Sequence, residues 1–203
     1  MHLHFNEETH EYRLDGVIIP SATQIISAMI PTSASKFYTE AGRERGTAVH
    51  LACELYDEGD LDEETLDPRL VPYLEGWKKF LRETRVTIVD AEHRAASKYG
   101  FAGARDRLAI DHKGDKILID IKSSIAKPKW IGVQLGFYQQ LAEEQGHKIA
   151  ERWSVHLPGD GTFRREHWPD RKNDALALCR AHQIRIECGD WDERMGISGI
   201  NAD

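Results

Sequence analysis

The chain has 203 residues, a formal net charge of −7 at pH 7 and an apolar content of 40%. This length and apolar content suffice for one folded domain with a hydrophobic core, and the acidic charge argues against a protein that coats nucleic acid through bulk positive charge. This charge leaves open a protein that contacts nucleic acid through a local basic surface, because a carboxylate-rich metal site would add negative charge elsewhere.

Cysteine content and hydropathy narrow the class further. No segment approaches the ~18 consecutive apolar residues of a membrane span, and residues 1–6 lack the features of a signal peptide, so we expect a cytoplasmic protein without membrane contact. Cys53, Cys179 and Cys188 form no C-x-x-C pair. Reduced thiols are therefore expected, with neither a zinc site nor an iron–sulfur cluster.

Short strands are predicted at the start of the chain. The pattern of apolar and polar residues indicates three short strands, over about 2–5, 11–14 and 17–20. Asp15-Gly16, between the last two, is a strong signal for a two-residue hairpin turn. We expect residues 1–20 to form a small β elaboration of a single domain that spans 1–203.

Three helices are predicted next, one after Ser21 and two over about 35–57 and 71–83. Ser21 is a typical N-cap residue, and Pro31 ends the first of these helices. Gly42 and Gly46 are positions where the second helix can break.

From residue 86 the pattern changes to strands. The predicted elements are strands over 86–97, 101–110 and 116–122, a helix over 130–144, strands over 150–156 and 162–167, and a helix over 171–187. A hairpin turn over 111–115 joins the second and third of these strands. This order predicts an α/β fold with a mixed central sheet flanked by helices.

The segment 116–122 carries the most informative side chains. Strand alternation places its three isoleucines on one face and directs Asp120 and Lys122 to the other face, side by side. Phosphodiester hydrolysis needs a cation ligand and a positive group near the reacting phosphate, and this pair supplies both. A surface ion pair is the alternative interpretation.

A second carboxylate, Asp106, lies on the preceding strand. The hairpin brings it opposite Asp120 or one residue to either side, and two carboxylates suit a hard divalent cation. A simple two-residue turn would pair Asp106 with Ile121 and direct the two aspartates apart. We therefore predict a bulge or a strong twist near Gly103 or Gly114 that corrects the register.

The predicted second helix contributes a histidine. His50 shares one helical face with Glu54 and Asp57, and its imidazole can complete a metal site. A hydrogen-bonding role without a metal is the alternative for a single helical histidine.

Four motifs resemble, in their order, those of RecB-like nucleases in the PD-(D/E)XK superfamily. They are Gly-Thr-x-Val-His at 46–50, Gly-x-x-Asp at 103–106, Asp-x-Lys at 120–122 and Gln-x-x-x-Tyr at 134–138, within a core of about 44–140. Residues 12–24 also resemble the start of phage and genome-maintenance exonucleases of this superfamily. The resemblance implies a restriction-endonuclease-like core in a protein of a bacterium or of a phage-infected cell.

The same resemblance implies roles for individual residues. His50, Asp106 and Asp120 would bind Mg²⁺ or Mn²⁺, with the backbone carbonyl of Ile121 as a further ligand. Lys122 would orient the attacking water or stabilise the transition state. The scattered cysteines depart from the branch of the family that carries an iron–sulfur cluster, so no cluster is expected.

Other residues are candidates for supporting roles. Gln134 and Tyr138 would support the lysine or contact the substrate. Glu92 would be a second-metal ligand or a group that supports the ligands, and a solvent-facing strand residue is the alternative. Arg45 and Arg105 are candidates for substrate binding. Trp130 and Tyr38 are candidates for stacking on unpaired bases, with packing in the core as the alternative. Ordinary dispersed surface charge is the alternative for each member of the wider set of candidate DNA contacts, which is Lys36, Arg43, Arg45, Arg105, Arg107, Lys122, Lys127 and Lys129.

The expected activity is metal-dependent hydrolysis of DNA to a 5′-phosphate and a 3′-hydroxyl. We expect an exonuclease that acts on linear single- or double-stranded DNA in recombination, repair or end processing, alone, as a homo-oligomer or with a recombination partner. Three alternatives stay open: an endonuclease with the same site, an inactive DNA-binding or assembly subunit, and a phosphatase or nucleotide hydrolase. The filled motifs disfavour the second alternative, and the lack of a phosphate-cradling glycine loop disfavours the third.

Overall fold

The chain begins with three short antiparallel strands. The computed structural model describes residues 2–30 and 39–189, and in it β1 (Leu3–Asn6), β2 (Glu11–Leu14) and β3 (Val17–Ile19) form a separate sheet in that order. Asp15 and Gly16 join β2 to β3 with φ angles of 49° and 88°. Both central residues of a type I′ turn need positive φ, so Asp-Gly forms the predicted hairpin.

Three helices follow, and their ends are defined by local hydrogen bonds. Helix α1 (Ala22–Met29) begins with a capping box between Ser21 and Gln24, and α3 (Val71–Thr84) has proline in its first turn. Helix α2 (Glu40–Glu58) begins at the side-chain cap of Thr39 and is continuous, so the expected break near Gly42 or Gly46 does not occur. The rest of the predicted second helix, together with Pro31, Lys36 and Tyr38, lies outside the described residues.

The central sheet has five strands in the order β4-β5-β6-β7-β8. Strands β6 and β7 are parallel because α4 crosses between them, and the other neighbours are antiparallel. The remaining elements are β4 (Thr87–Ser97), β5 (Phe101–Ile110), β6 (Lys116–Lys122), α4 (Trp130–Glu144), β7 (Ile149–His156), β8 (Arg164–His167) and α5 (Lys172–Glu187). The predicted fold class, a mixed central sheet flanked by helices, is confirmed.

Hydrophobic cores cover both faces of the sheet. Helices α1, α4 and α5 pack on one face against Phe101, Leu108 and Leu118. Helices α2 and α3 pack on the other face through Val49 and Trp77. Because β5 and β6 are buried on both sides, the polar side chains among their residues need partners within the protein. No helix of the described residues is long and apolar enough to cross a membrane.

The turn between β5 and β6 sets the register of the two aspartates. Gly114 has φ 85°, and its N–H donates to the carbonyl of Asp111 at 3.0 Å. An αL glycine at this position makes a three-residue loop, so Ile110 pairs with Lys116 and Arg107 with Ile119. Extended by one step beyond Arg107 and Ile119, this register would place Asp106 opposite Asp120. The correction of register predicted near Gly103 or Gly114 therefore occurs at Gly114.

Candidate active site

Asp120 lies at the buried centre of the candidate site. Its carboxylate is fully buried, and the ammonium nitrogen of Lys122 lies 2.8 Å from it. Burial raises the pKa of Asp120 to about 6, although the charge of Lys122 acts in the opposite direction. Nearby positive charge is thus what favours the ionised carboxylate in this position.

Side chains from α4 orient the ammonium of Lys122. The nitrogen lies 3.2 Å from Oε1 of Gln134, and Nε2 of Gln134 donates to the hydroxyl of Tyr138 at 2.8 Å. Tyr138 fits there because a Cβ at position 103 would come within 3.1 Å of its ring, which is the reason for glycine in the Gly-x-x-Asp motif. Lys122 therefore has a fixed direction between a carboxylate and an amide.

A second group of side chains brings an imidazole to two carboxylates. His50 Nδ1 lies 3.5 Å from Oε1 of Glu92 and 3.7 Å from Oδ2 of Asp106. Its other nitrogen, Nε2, lies 2.9 Å from the carbonyl oxygen of Ile121. Asp106 Oδ2 in turn accepts a hydrogen bond of 2.7 Å from the backbone N–H of Ile121. The end of β6 thus ties α2 to β5 through backbone atoms.

The pKa values of His50, Asp106 and Glu92 depend on burial, on one another's charges and on Arg107. Burial lowers the pKa of His50, but the Asp106 charge and the contact with Glu92 outweigh burial and raise it. Burial raises the pKa of Asp106, with a further contribution from the charge of Glu92. For Glu92, burial is opposed by His50 and Arg107, which together lower the pKa. The two carboxylates repel each other and share one imidazole.

Glu92 reaches this group because its backbone departs from the strand. Its φ of 45° lies in the left-handed region, although it belongs to β4. Ala91 pairs with Arg107 and His93 with Arg105, so Glu92 stands beside Asp106. A glutamate in this conformation is uncommon and costs about 1–3 kcal/mol. The surroundings of Glu92 must therefore hold it there.

A buried arginine supplies part of that support. Arg107 is fully buried, and its Nη1 lies 3.2 Å from Oε1 of Glu92 and 2.6 Å from the carbonyl of Asp106. Its Nε donates to Asp57 at 2.6 Å, and the other oxygen of Asp57 accepts from the indole of Trp77 at 2.8 Å. Arg107 was expected to contact DNA, but it is inaccessible and joins the site to the core.

Arg105 also has a different position from the one expected. Its side chain is 2% exposed, forms an ion pair with Asp90 and donates to Gln145. It lines neither of the cavities described below, because its guanidinium is directed to Asp90 on β4 and to Gln145, the residue that ends α4. The assignment of Arg105 to substrate binding is therefore corrected.

Two cavities open onto the candidate site. A groove of about 930 Å³ contains His50, Glu92, Asp106 and Tyr138 together with residues of the N-terminal sheet. A second cavity of about 530 Å³ contains Lys122 and Arg45, and it is also lined by Lys127 and Trp130. The imidazole–carboxylate group thus faces one cavity and the lysine faces the other.

The residues present fit a divalent cation. His50, Glu92 and Asp106 each offer one ligand atom, and these atoms lie within 4.8 Å of one another. Carboxylate oxygens and an imidazole nitrogen suit Mg²⁺ or Mn²⁺. A cation at this position would relieve the repulsion between Glu92 and the buried Asp106. Asp120 is oriented toward Lys122 and is not part of this trio.

Sequence reasoning did not identify every residue of the site. His156, buried on β7, accepts or donates a bond to Ser154 at 3.0 Å and contacts the carbonyl of Ser124 at 2.8 Å, just after Lys122. Arg94 lines the groove and was absent from the expected basic set. The pairing of β4 with β5 would be needed to find Arg94, and the parallel pairing of β6 with β7 to find His156.

The fold of this chain is similar to those of several solved structures. No protein-family model matches the chain, and no curated protein matches it. An alkaline exonuclease from Laribacter hongkongensis is 16% identical with a TM-score of 0.45, over 83% of this chain and 88% of that chain. The structure of that exonuclease in complex with dAMP has 16% identity and a TM-score of 0.42, over 85% and 94%. A protein of Eubacterium rectale that carries the name of an exonuclease has 14% identity and a TM-score of 0.45, over 73% and 69%.

Proposed function

We propose that this protein is a deoxyribonuclease that requires Mg²⁺ or Mn²⁺ and acts as an exonuclease. The observation that carries the proposal is the convergence of His50, Glu92 and Asp106 at a groove open to solvent, where Asp106 is hydrogen-bonded to the strand that carries Asp120 and Lys122. A trio of cation ligands next to an oriented ammonium is the combination that phosphodiester hydrolysis needs. The motif resemblance to RecB-like nucleases supports the same assignment.

Each residue has a role in this proposal. His50, Glu92 and Asp106 would hold a cation, and we propose Asp120 and the Ile121 carbonyl as further ligands. The bound cation would supply positive charge to the phosphate and lower the pKa of a water molecule. Burial of Asp106 and the bonds from Ile121 and Arg107 fix the ligands before substrate arrives.

Lys122 would act on the phosphate or on the water. Its ammonium lies between Asp120 and Gln134, so it points in one direction without reorganisation during the reaction. The water oxygen would form the new bond to phosphorus and release its proton to solvent. The bond to the 3′ oxygen would break and that oxygen would take up a proton from solvent, which leaves a 5′-phosphate and a 3′-hydroxyl. Negative charge that develops on the phosphoryl oxygens is stabilised by the ammonium.

Exonuclease activity is proposed over endonuclease activity on the resemblance of residues 12–24 to exonucleases. This segment includes β2 and the start of α1, and Tyr12, Ser21 and Gln24 line the groove that contains His50. The N-terminal sheet therefore borders the proposed cation ligands. Recombination, repair or end processing of DNA is the proposed setting.

The test is cleavage of end-labelled linear DNA compared with closed circles. Single- and double-stranded forms are incubated with the full chain in Mg²⁺, in Mn²⁺ and in EDTA. Asp106→Asn and Lys122→Ala are the site variants, and Lys116→Ala, on the same strand but bonded to His147, is the matched control. We expect loss of linear DNA only, in the presence of metal, by the unmodified chain and the control.

Other outcomes would select the alternatives. Cutting of circles by the same residues would make the protein an endonuclease. Binding of DNA without cleavage under any metal would favour a binding or assembly subunit, and release of phosphate from mononucleotides alone would favour a phosphatase. Cleavage that both site variants retain would contradict the assignment of the site.

A further inference from the structure

A second positive group lines the groove next to the proposed cation ligands. Arg94 belongs to β4, two residues beyond Glu92, which is about 7 Å along an extended strand. It pairs with Ala104 on β5, and Ala104 lines the groove between Arg94 and Asp106. Arg94 thus stands one step along the groove from the imidazole–carboxylate group.

The N-terminal sheet holds the guanidinium of Arg94. Its central carbon lies 4.7 Å from the centroid of the Phe5 ring, and the Phe5 ring itself packs on Tyr12 with centroids 4.5 Å apart. Glu7 lies 3.8 Å away, which is too long for a direct hydrogen bond, and its side chain is 82% exposed. Arg94 also donates a hydrogen bond to the hydroxyl of Tyr12, so Phe5 and Tyr12 together orient the guanidinium. Because a guanidinium has five N–H donors, others remain for a phosphate oxygen.

Negative side chains outnumber fixed positive ones in the groove, so binding of DNA there requires a positive group. Of the described residues that line it, Arg43 and Arg94 carry the fixed positive charges, while Glu7, Glu54, Glu92 and Asp106 carry negative ones. A cation bound to Glu92 and Asp106 would offset the negative charge of these two carboxylates. A polyanionic strand still needs positive charge beyond that point, and the Arg94 side chain is 43% exposed there.

We propose that Arg94 binds a backbone phosphate of the DNA substrate next to the phosphate that is cleaved. Phe5, which stacks on the guanidinium, and Tyr12, which is hydrogen-bonded to it, are the positioning residues that orient Arg94. The N-terminal sheet is accordingly a substrate-binding wall of the groove. This inference rests on the proposed nuclease function, and it assigns the substrate contact made by this side of the site.

The test measures binding of a labelled oligonucleotide in a Lys122→Ala background, so that cleavage does not interfere. Arg94→Gln removes the charge, and Arg13→Gln is the matched control, because Arg13 lies on the N-terminal sheet that contains Phe5, pairs with Glu11 and does not line the groove. We expect about tenfold weaker binding for Arg94→Gln and unchanged binding for Arg13→Gln. Arg94→Lys should restore most of the affinity, and Phe5→Leu should weaken binding through Arg94.

Two readouts separate a phosphate contact from a general loss of structure. The slope of log affinity against log salt should fall in magnitude by about 0.7 for a single strand or about 0.9 for a duplex when Arg94 loses its charge. A neutral methylphosphonate placed at the phosphate next to the cleaved bond should weaken binding by the arginine-containing protein, and the Arg94→Gln variant should not distinguish it from phosphate.

The possible failures are distinguishable. If the unmodified chain cleaves DNA but Arg94→Gln retains its affinity and salt slope, the inference is wrong and the proposed function stands. If Arg94→Gln weakens binding to every methylphosphonate oligonucleotide as much as to unmodified DNA, the residue acts on the fold alone. If no variant binds or cleaves DNA, the nuclease function itself is wrong.

Discussion

Replacement of the buried Arg107 should separate fold stability from support of the site. Arg107 is 0% exposed and its partner Asp57 is 2% exposed, so solvent does not screen the pair. Arg107→Met leaves the Asp57 carboxylate buried without its cation. Loss of one partner of a buried ion pair costs about 3–5 kcal/mol, and we expect a decrease of that size in the free energy of unfolding.

A second substitution should recover much of this loss. In Arg107→Met combined with Asp57→Asn the buried charge is absent, while the asparagine oxygen still accepts from the indole of Trp77. The remaining cost is the lost hydrogen bonds of the arginine, about 1–2 kcal/mol. The double variant should therefore be about 2–3 kcal/mol more stable than Arg107→Met alone.

Urea unfolding followed by tryptophan fluorescence measures both variants, with the change in midpoint converted through an unchanged slope. Arg69→Met is the matched control, since Arg69 forms an exposed pair with Asp67 at 2.6 Å and its loss should leave the midpoint where it is. A double variant less stable than the single one, or a single variant as stable as the wild type, would refute the reasoning.

The double variant also tests support of the site. Arg107 is the residue that bonds Oε1 of Glu92 at 3.2 Å, and this bond is absent in the double variant even where the fold recovers. We expect the thermal stabilisation by Mn²⁺ to be reduced in a protein of nearly normal stability. A full response to Mn²⁺ would show that Glu92 does not depend on Arg107.

Three further predictions concern the site and its helices. Lys122→Met should lower DNA cleavage about 10²–10³-fold, with Lys116→Met unchanged in the same assay, and equal activities would contradict the role of Lys122. Mn²⁺ should raise the melting temperature more at pH 8 than at pH 5.5, because the raised pKa of His50 and the pKa of Asp120, raised to about 6, keep protons on these groups in acid. Without metal, the contribution of both groups to the free energy of unfolding is greatest at low pH and falls as the pH rises through these pKa values. A rise in melting temperature with Mn²⁺ that is larger at pH 5.5 than at pH 8 would refute the assignment of these residues as cation ligands. Gly136→Ala should destabilise the protein by about 1–3 kcal/mol, because the new Cβ would lie 2.5 Å from the carbonyl oxygen of Arg171. In the same melting experiment Gly46→Ala should stabilise α2 by about 0.5–1 kcal/mol, because its Cβ would meet only an ordinary contact of 3.6 Å with Ser123.

Most elements could be predicted from sequence because their signals are local. Alternation and turn residues predict strands over 101–110 and 116–122 and a helix over 130–144, and β5, β6 and α4 have those bounds. The same local rules predict that Asp120 and Lys122 share a face, and the ion pair between them has that arrangement. The position of Asp106 required one further inference, because the three-residue loop with αL Gly114 sets the register between β5 and β6.

The basic residues show where local rules end. Arg105 and Arg107 lie next to the motifs in sequence, but both side chains are buried. Arg107 meets Asp57 and Trp77 under α2 and α3, and Arg105 meets Asp90 and Gln145 at the end of α4. Arg94 lies farther from the motifs, yet pairing of β4 with β5 brings it to the groove. Which charged residue reaches solvent depends on packing between elements, and this cannot be read from sequence spacing.

Glu92 was predicted as a candidate second-metal ligand or supporting group, but sequence patterns could not place its side chain beside His50 and Asp106. A regular strand gives each residue a face by alternation, but the φ of 45° at Glu92 interrupts that alternation within β4. The conformation is unfavourable by itself and persists because His50 and Arg107 both contact the carboxylate. Residues that break a local rule while their neighbours hold them in place concentrate at functional sites. The strain at Glu92 is thus an independent reason to place function at this point of the sheet.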